Sequence, residues 1–268
     1  YGARYYDPVL SRWISADPAD RFHAQSPPTG LNLYQYGLLN PVRLIDPDGT
    51  LEYDIQSSQY KFEAGRDTAA SIAKDTGFKE REISGANPQI KDWGKLKGGE
   101  NINIPQNVRT RTFQEAAKSL GSTDWAESSD RGPGPGENKC NLFVAEMTER
   151  AGGERAVHQR TWLKKQLAGE TTAPASANEL ADTGLNPLGH FSVVGSKKAL
   201  PGDYAAFPRA AGSGHATIYT GNIGIRYKGV MYRDAAIGAG RDTVNINPVN
   251  GPTGLSITIN PPVFRRYQ

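Results

Sequence analysis

Cys140 is the residue of this sequence best suited to covalent chemistry. It is the only cysteine among 268 residues, so it cannot form a disulfide or a cysteine-rich zinc site within the chain. A thiol attacks as the thiolate, and its pKa of ~8.5 falls at a helix N-terminus or beside an imidazole. The apolar residues after Cys140 recur at helical spacing: Leu142, Phe143, Val144, Met147 and Ala151. The pattern predicts Cys140 in the first turn of a helix, where backbone N–H groups favour a thiolate and an oxyanion.

The flanking sequence sets the limits of this predicted helix. A Gly/Pro run at residues 132–136 cannot continue a helix, and Gly152-Gly153 ends it. Asn138, just before the thiol, is expected to contribute to the oxyanion site. The competing interpretation is that Cys140 is an inert buried thiol.

A nucleophilic thiol needs a base, and the sequence offers four histidines. His215 begins the alternating run His215-Ala216-Thr217-Ile218-Tyr219, which predicts a strand. A strand fixes a side chain better than a loop, so His215 is favoured over His190, which no strand pattern holds. His23 and His158 lie in a Tyr/Pro-rich and an Arg/Gln-rich stretch, respectively. We therefore expect His215 to be the general base.

A polar residue on the next strand usually orients such a base. Asp234 lies at that position, and Asp242 and Asn247 are further candidates for it. The competing interpretation of Asp234 is a surface carboxylate paired with Arg233 or Lys228.

Residues 106–268 resemble the NlpC-type and CHAP families of papain-like hydrolases. The motifs are Lys139-Cys140-Asn141-Leu142-Phe143-Val144, Pro201-Gly202-Asp203, and Gly214-His215-Ala216-Thr217-Ile218-Tyr219-Thr220-Gly221. The resemblance implies an α+β fold with a helix-borne Cys140 against an antiparallel sheet, and hydrolysis of amide bonds in cell-wall peptides. Asp234 fits the CHAP spacing. The sequence departs from the NlpC type at Asn141-Leu142, where that family has Ser-Gly. Further strands are predicted from Val230 to about Ala236 and from Leu255 to Ile259.

Residues 59–105 predict a small β–α–α–β unit. Tyr60-Lys61-Phe62 and Asn101-Ile102-Asn103-Ile104 alternate as strands do. Asp67 or Thr68 is suited to cap a first helix that Gly77 ends, and a second helix runs from about Lys79 to Ala86.

This unit resembles a LysM module, a binder of N-acetylglucosamine polymers such as peptidoglycan. The resemblance assigns glycan binding to Gly65, Asp67, Thr68, Asn87, Pro88 and Ile90. Arg66 stands between Gly65 and Asp67, where the family has no residue. The competing interpretation is a module that serves only as a spacer.

Residues 1–50 are rich in X-Pro pairs, which favour turns and short strands over helix. This zone resembles the C-terminal end of the Rhs (YD-repeat) core, through Tyr5-Tyr6-Asp7-Pro8, Ser11-Arg12-Trp13-Ile14-Ser15-Ala16-Asp17-Pro18, Asn32-Leu33-Tyr34-Gln35-Tyr36, Asn40-Pro41 and Asp46-Pro47-Asp48-Gly49. The resemblance implies a β-shell that precedes a toxin, with self-cleavage near Thr50–Leu51. Residues 51–58 are expected to form a linker.

Composition limits the remaining possibilities. The net charge of +3 is spread without a dense basic cluster, so a nucleic-acid partner is not expected. No run of about 20 apolar residues predicts a membrane span, and we expect neither a cofactor nor a metal site.

The leading hypothesis is an antibacterial effector that cleaves an amide of peptidoglycan stems or cross-links. The toxin resemblance implies a cognate immunity protein, an Rhs shell, a type VI-like secretion apparatus and delivery to the target periplasm. The competing hypotheses are a papain-like toxin that deamidates or cleaves a cytosolic protein, and a non-catalytic glycan-binding tail.

Overall fold

The computed structural model describes residues 51–64, 67–132, 134–157, 174–209, 214–250 and 261–268, with two short strands nearer the N-terminus. The chain divides into two compact units, Tyr1–Gly49 and Thr50–Gln268. In the first unit, β1 (Tyr6–Asp7) pairs antiparallel with β2 (Arg12–Trp13). The predictions for the rest of residues 1–50, for Gly65, His158 and for a strand at 255–259 lie outside the described residues.

The second unit combines helices with two sheets. Its helices are α1 (Ala69–Thr76), α2 (Glu80–Ala86), α3 (Val108–Lys118), α4 (Cys140–Arg150) and α5 (Ala177–Ala181). The strands are β3 (Glu52–Asp54), β4 (Gln59–Lys61), β5 (Asn101–Ile102), β6 (Phe191–Val194), β7 (Tyr204–Phe207), β8 (His215–Tyr219), β9 (Gly224–Tyr227), β10 (Val230–Tyr232), β11 (Ala235–Ala239), β12 (Val244–Pro248) and β13 (Val263–Tyr267). The fold is therefore mixed α/β.

Among the described residues, the larger sheet has six strands in the order β12-β11-β8-β7-β13-β6, and all neighbours are antiparallel. Successive side chains of β8 face opposite sides of the sheet. Ala216 and Ile218 join the core that contains Phe143 of α4. Tyr219 belongs to a second apolar cluster on the other face. The predicted strand at His215–Tyr219 and the predicted helix start at Cys140 are both confirmed.

The single strand predicted from Val230 to about Ala236 is wrong. The chain forms β10 and β11 there, and these strands belong to different sheets. Asp234 lies at the break with a φ of 45°, a left-handed conformation that cannot continue a strand.

The smaller sheet has five strands in the order β10-β9-β3-β4-β5 within the described part of the chain. Strand β3 pairs with β4 as an antiparallel hairpin and with β9 in parallel. Although the sequence predicts a linker at residues 51–58, this stretch contains β3, and the side chains of Leu51 and Tyr53 are fully buried. The predicted LysM-like segment and the predicted hydrolase segment therefore share one sheet.

The order β4-α1-α2-β5 reproduces the predicted β–α–α–β pattern. Thr68 caps α1 by accepting the N–H of Ser71 at 3.0 Å, and Gly77 ends that helix in the left-handed conformation. The two strands of the unit pair antiparallel, with Tyr60 opposite Ile102.

Asn87 fastens the end of α2 to the segment after β5. Its side-chain amide donates to the carbonyls of Ile83 and Asn103, each at 2.8 Å. Its Oδ1 accepts the N–H of Asn103, also at 2.8 Å. Because Asn87 is 1% exposed, water cannot replace these bonds.

We predict that Asn87→Ala lowers the free energy of unfolding by about 2–4 kcal/mol, because buried groups on Ile83 and Asn103 lose their partners. Urea denaturation measures this change. The matched control is Asn101→Ala, which removes an exposed amide that contacts Lys61 and is expected to cost less than about 0.5 kcal/mol. Equal losses in the two variants would contradict the prediction.

Candidate active site

Cys140 is the first residue of α4. Its backbone N–H donates to Oδ1 of Asn138 at 2.9 Å, and its side chain lies in the core. The sequence predicts that Asn138 contributes to an oxyanion site. In the structure the side-chain oxygen of Asn138 accepts the N–H of Cys140. This N–H is one of the donors that an oxyanion site would use.

Lys139 holds the loop that precedes the thiol. Its ammonium group donates to the carbonyls of Glu127, Gly134 and Glu137 at 3.1, 2.9 and 3.1 Å. The residue is 1% exposed, so these carbonyls replace the water that a lysine usually binds. The start of α4 is thereby fixed. No sequence pattern indicates this role, because an isolated lysine is normally exposed.

The thiol of Cys140 contacts the backbone on both sides of His215. The N–H of Ala216 points at Sγ at 3.5 Å, and the thiol lies 3.9 Å from the carbonyl of Gly214. The pairing of β8 with β11 is confined to Ile218 and Tyr219. In a strand, alternate residues direct their backbone groups to the same side. The N–H of Thr220 bonds to β11, so the groups of Ala216 and Gly214 face that side too. The thiol thus occupies the edge of β8 where its pairing with β11 has ended.

The His215 imidazole lies between neighbouring strands. Its ring centroid is 6.5 Å from that of Phe207 on β7. On β11, a Cβ added to Gly238 would lie 3.3 Å from Nε2 of His215 and 2.8 Å from Thr217, so the glycine makes room for the ring. Among the contacts of the described residues, no hydrogen bond joins the imidazole to the thiol. Such bonds often form only when substrate binds.

Burial determines the ionisation of both groups. It raises the pKa of the Cys140 thiol, and the N–H groups of Ala216 and Asn141 oppose the rise only in part. The sequence predicts a lowered thiol pKa at the helix start, but the loss of hydration outweighs that effect. Burial, and to a smaller extent the charge of Arg209, lower the pKa of His215 to about 4. At neutral pH the pair is therefore a neutral thiol and a neutral imidazole.

Asp234 does not lie where the sequence predicts it. Its carboxylate accepts bonds from the Tyr219 hydroxyl at 2.5 Å and from the Asn250 amide at 2.8 Å. Tyr219 lies at the opposite end of β8 from His215, four residues or about 13 Å along the strand. The expected role of Asp234 as the group that orients His215 does not fit this position.

The end of the sheet that bears His215 presents a different polar pair. Asn245 lies opposite Gly238 in the β11–β12 ladder, and its Nδ2 is 2.5 Å from the position of a Cβ on Gly240. Asn247 donates to Asn245 at 2.9 Å. Asn247 is one of the polar candidates that the sequence offers, but Asn245 is not. Buried and less buried residues alternate along β12, with Val244 buried and Asn245 facing the other way. This alternation is the sequence signal that could have placed Asn245 on the side of the sheet that bears His215.

Asp242 and His190 are the remaining candidates for the orienting residue and the base. Asp242 is exposed in the turn between β11 and β12. His190 is about half exposed and lies 3.2 Å from a carboxylate oxygen of Glu154, and its ring is beside Tyr267.

The residues expected to bind glycan are partly committed to the fold. The buried carboxylate of Asp67 accepts the N–H of Glu63 at 2.7 Å. Thr68 uses its hydroxyl as the α1 cap, and Asn87 is enclosed between α2 and Asn103. Pro88 is exposed and Ile90 is half-buried, so these two residues remain accessible.

The described residues contain neither a metal-site cluster nor a membrane-spanning helix. No group of three or more His, Cys, Asp or Glu side chains is arranged to hold a metal ion. No helix there is long and apolar enough to cross a membrane.

Comparisons with known proteins give a partial match. The chain is similar, in part, to toxin subunits. It is 50% identical over 54 residues, 20% of its length, to toxin subunit YenC2 of Yersinia entomophaga. It is 49% identical over 49 residues to toxin subunit YenC1 of the same organism. The aligned segments span only 5% and 4% of those proteins, and no family model matches the chain.

We predict that alkylation of Cys140 by iodoacetamide is slow at neutral pH and still rises with pH above about pH 9, because burial raises the thiol pKa. Mass spectrometry of the modified protein measures the rate. His215→Ala is expected to leave the midpoint of this profile unchanged, since no ion pair holds the thiolate. A plateau of high reactivity between about pH 5 and 8 would instead reveal a thiolate–imidazolium pair.

Proposed function

We propose that this chain is a cysteine hydrolase that cleaves an amide bond in bacterial cell-wall peptides. The observation that carries the proposal is the position of Cys140, which starts a helix and contacts the backbone on both sides of His215. A nucleophile and a base on two rigid elements is the arrangement that acyl transfer requires.

The proposed reaction uses these two side chains in turn. Sγ attacks the amide carbon while the neutral His215 accepts the thiol proton. The tetrahedral oxyanion then collapses, the C–N bond breaks, and His215 returns the proton to the leaving amine. Water hydrolyses the thioester with His215 again as base. The pKa of His215, about 4, keeps the imidazole unprotonated and available at neutral pH.

Two further features support a cell-wall substrate. The β4-α1-α2-β5 unit has the element order expected of a LysM module, and it shares a sheet with the unit that carries Cys140. A wall-binding module attached to a hydrolase would raise the local substrate concentration. The partial similarity to toxin subunits supports a toxic role. The proposal includes secretion, delivery to a target periplasm and protection of the producer by an immunity protein.

One observation favours a non-catalytic role instead. Cys140 is 3% exposed and burial raises its pKa, as expected of an inert core thiol. In that case the chain would act as a glycan-binding tail.

We predict that purified sacculi release soluble peptide fragments when incubated with the wild-type protein and none with Cys140→Ala, because the variant lacks the nucleophile. Mass spectrometry of the muropeptides detects the fragments and identifies the amide that is cut. Cys140→Ser is the near-isosteric control for folding, checked by circular dichroism. If sacculi stay intact although the wild-type protein is folded and its thiol can be alkylated, the cell wall is not the substrate. If Cys140→Ala releases as many fragments as the wild type, Cys140 is not the nucleophile.

We predict that kcat/KM falls on acidification through about pH 4 and not near 6.5, the pKa of a free imidazole. The sign follows from the base role: protonated His215 cannot accept the thiol proton, and burial delays protonation to lower pH. Initial rates of muropeptide release across the pH range measure this limb. A midpoint near 6.5 would show that His215 is hydrated in the working enzyme.

A further inference from the structure

Arg209 follows β7 and lies beside the site. Its backbone N–H donates to Oδ1 of Asn178 on α5 at 3.1 Å. The same Oδ1 is 2.7 Å from the position of a Cβ on Gly214, and the carbonyl of Gly214 contacts the Cys140 thiol. Asn178 therefore lies against both ends of the connection between β7 and β8, which places the Arg209 backbone near the segment that contacts the thiol.

Arg209 also shares a side of the sheet with His215. Phe207 is the register partner of His215, and residues two apart in an extended chain face the same way. Arg209 is two residues beyond Phe207. The charge of Arg209 lowers the pKa of both Cys140 and His215, as a cation near these two groups does.

No described carboxylate neutralises this cation. Arg209 is exposed, and none of the ion pairs among the described residues includes it. The sequence explains why: only Asp234 and Asp242 are acidic between Tyr204 and Gln268. Asp234 is engaged by Tyr219 and Asn250. Arg209 thus has no ion-pair partner among the described residues.

We infer that Arg209 is a specificity-determining residue that binds a carboxylate of the substrate close to the amide attacked by Cys140. Its planar guanidinium has donors spaced for both oxygens of a carboxylate. The inference rests on the proposed function and narrows the substrate to peptides with a free acidic group beside the scissile bond. Stem peptides of the cell wall belong to this chemical class.

The first experiment uses alkylating reagents and needs no knowledge of the substrate. Iodoacetate and iodoacetamide both react with the thiolate, form the same kind of thioether bond and release iodide, but only iodoacetate is anionic. A cation at the thiol favours iodoacetate, so Arg209→Gln is expected to lower the ratio of the two rates roughly two- to fivefold. Loss of the charge also changes the thiol pKa, which slows both reagents equally and leaves the ratio unaffected.

Matched variants separate charge from structure. Arg209→Lys retains the cation and is expected to keep most of the ratio. Arg226→Gln removes an exposed arginine on β9 that lies near Glu52, and it is expected to leave the ratio unchanged. Added salt should lower the wild-type ratio towards that of Arg209→Gln, because ions screen exposed charges.

The second experiment compares a cell-wall peptide that has free carboxylates with the same peptide after amidation. Wild type is expected to favour the free acid through a lower KM, and Arg209→Gln to lose that preference while it still cleaves the amidated form. Equal alkylation ratios in wild type and Arg209→Gln, or an unchanged preference, would overturn the inference. If Arg209→Gln lowers the alkylation ratio as expected but the wild type hydrolyses no peptide, only the proposed function is contradicted. A thiol inert to both reagents would contradict both.

Discussion

The rest of the site depends on the contact between the Cys140 thiol and the backbone of β8. Sγ accepts the N–H of Ala216 and faces the carbonyl of Gly214 where the β8–β11 ladder stops. This contact fixes the start of α4 against the sheet, at the backbone groups on either side of His215. It also explains the ionisation of the pair, because the close packing that positions both side chains removes the water that would stabilise their charged forms.

The support for this contact comes from distant parts of the chain. Arg109 on α3 is buried and donates to the carbonyls of Thr76 at the end of α1 and Pro201 before β7. The carboxylate of Asp203, just before β7, accepts two hydrogen bonds from the guanidinium of Arg266, at 3.0 and 2.7 Å. The bonds of Arg109 and the β3–β9 pairing join the β–α–α–β unit to the segments that precede β7 and follow β8. A wall-binding module built in this way would be held rigidly relative to the thiol rather than tethered by a linker.

The electrostatic character of the site follows from composition as much as from geometry. The chain from Tyr204 onwards contains several arginines but only two acidic residues, and Asp234 is committed to Tyr219 and Asn250. Among the described residues no carboxylate raises the pKa of His215, and burial and Arg209 lower it. A cation near the thiol and the imidazole disfavours a protonated His215, and therefore a thiolate–imidazolium pair. The same cation favours an acidic ligand. If the proposed function holds, the charge of Arg209 would act both on the ionisation of the thiol and on the selection of the substrate.

Local patterns in the sequence determined the helix start at Cys140, the strand from His215 to Tyr219 and the caps of α1, because each depends on residues within a few positions of one another. Only the tertiary structure decided which residues meet. The left-handed turn at Asp234 separates β10 from β11 and carries that carboxylate away from His215, whereas Gly238 and Asn245 come to the imidazole side through pairing between strands. The thiol pKa likewise followed burial rather than position on the helix. Register and burial arise from contacts between residues far apart in the chain, and a linear pattern does not encode them.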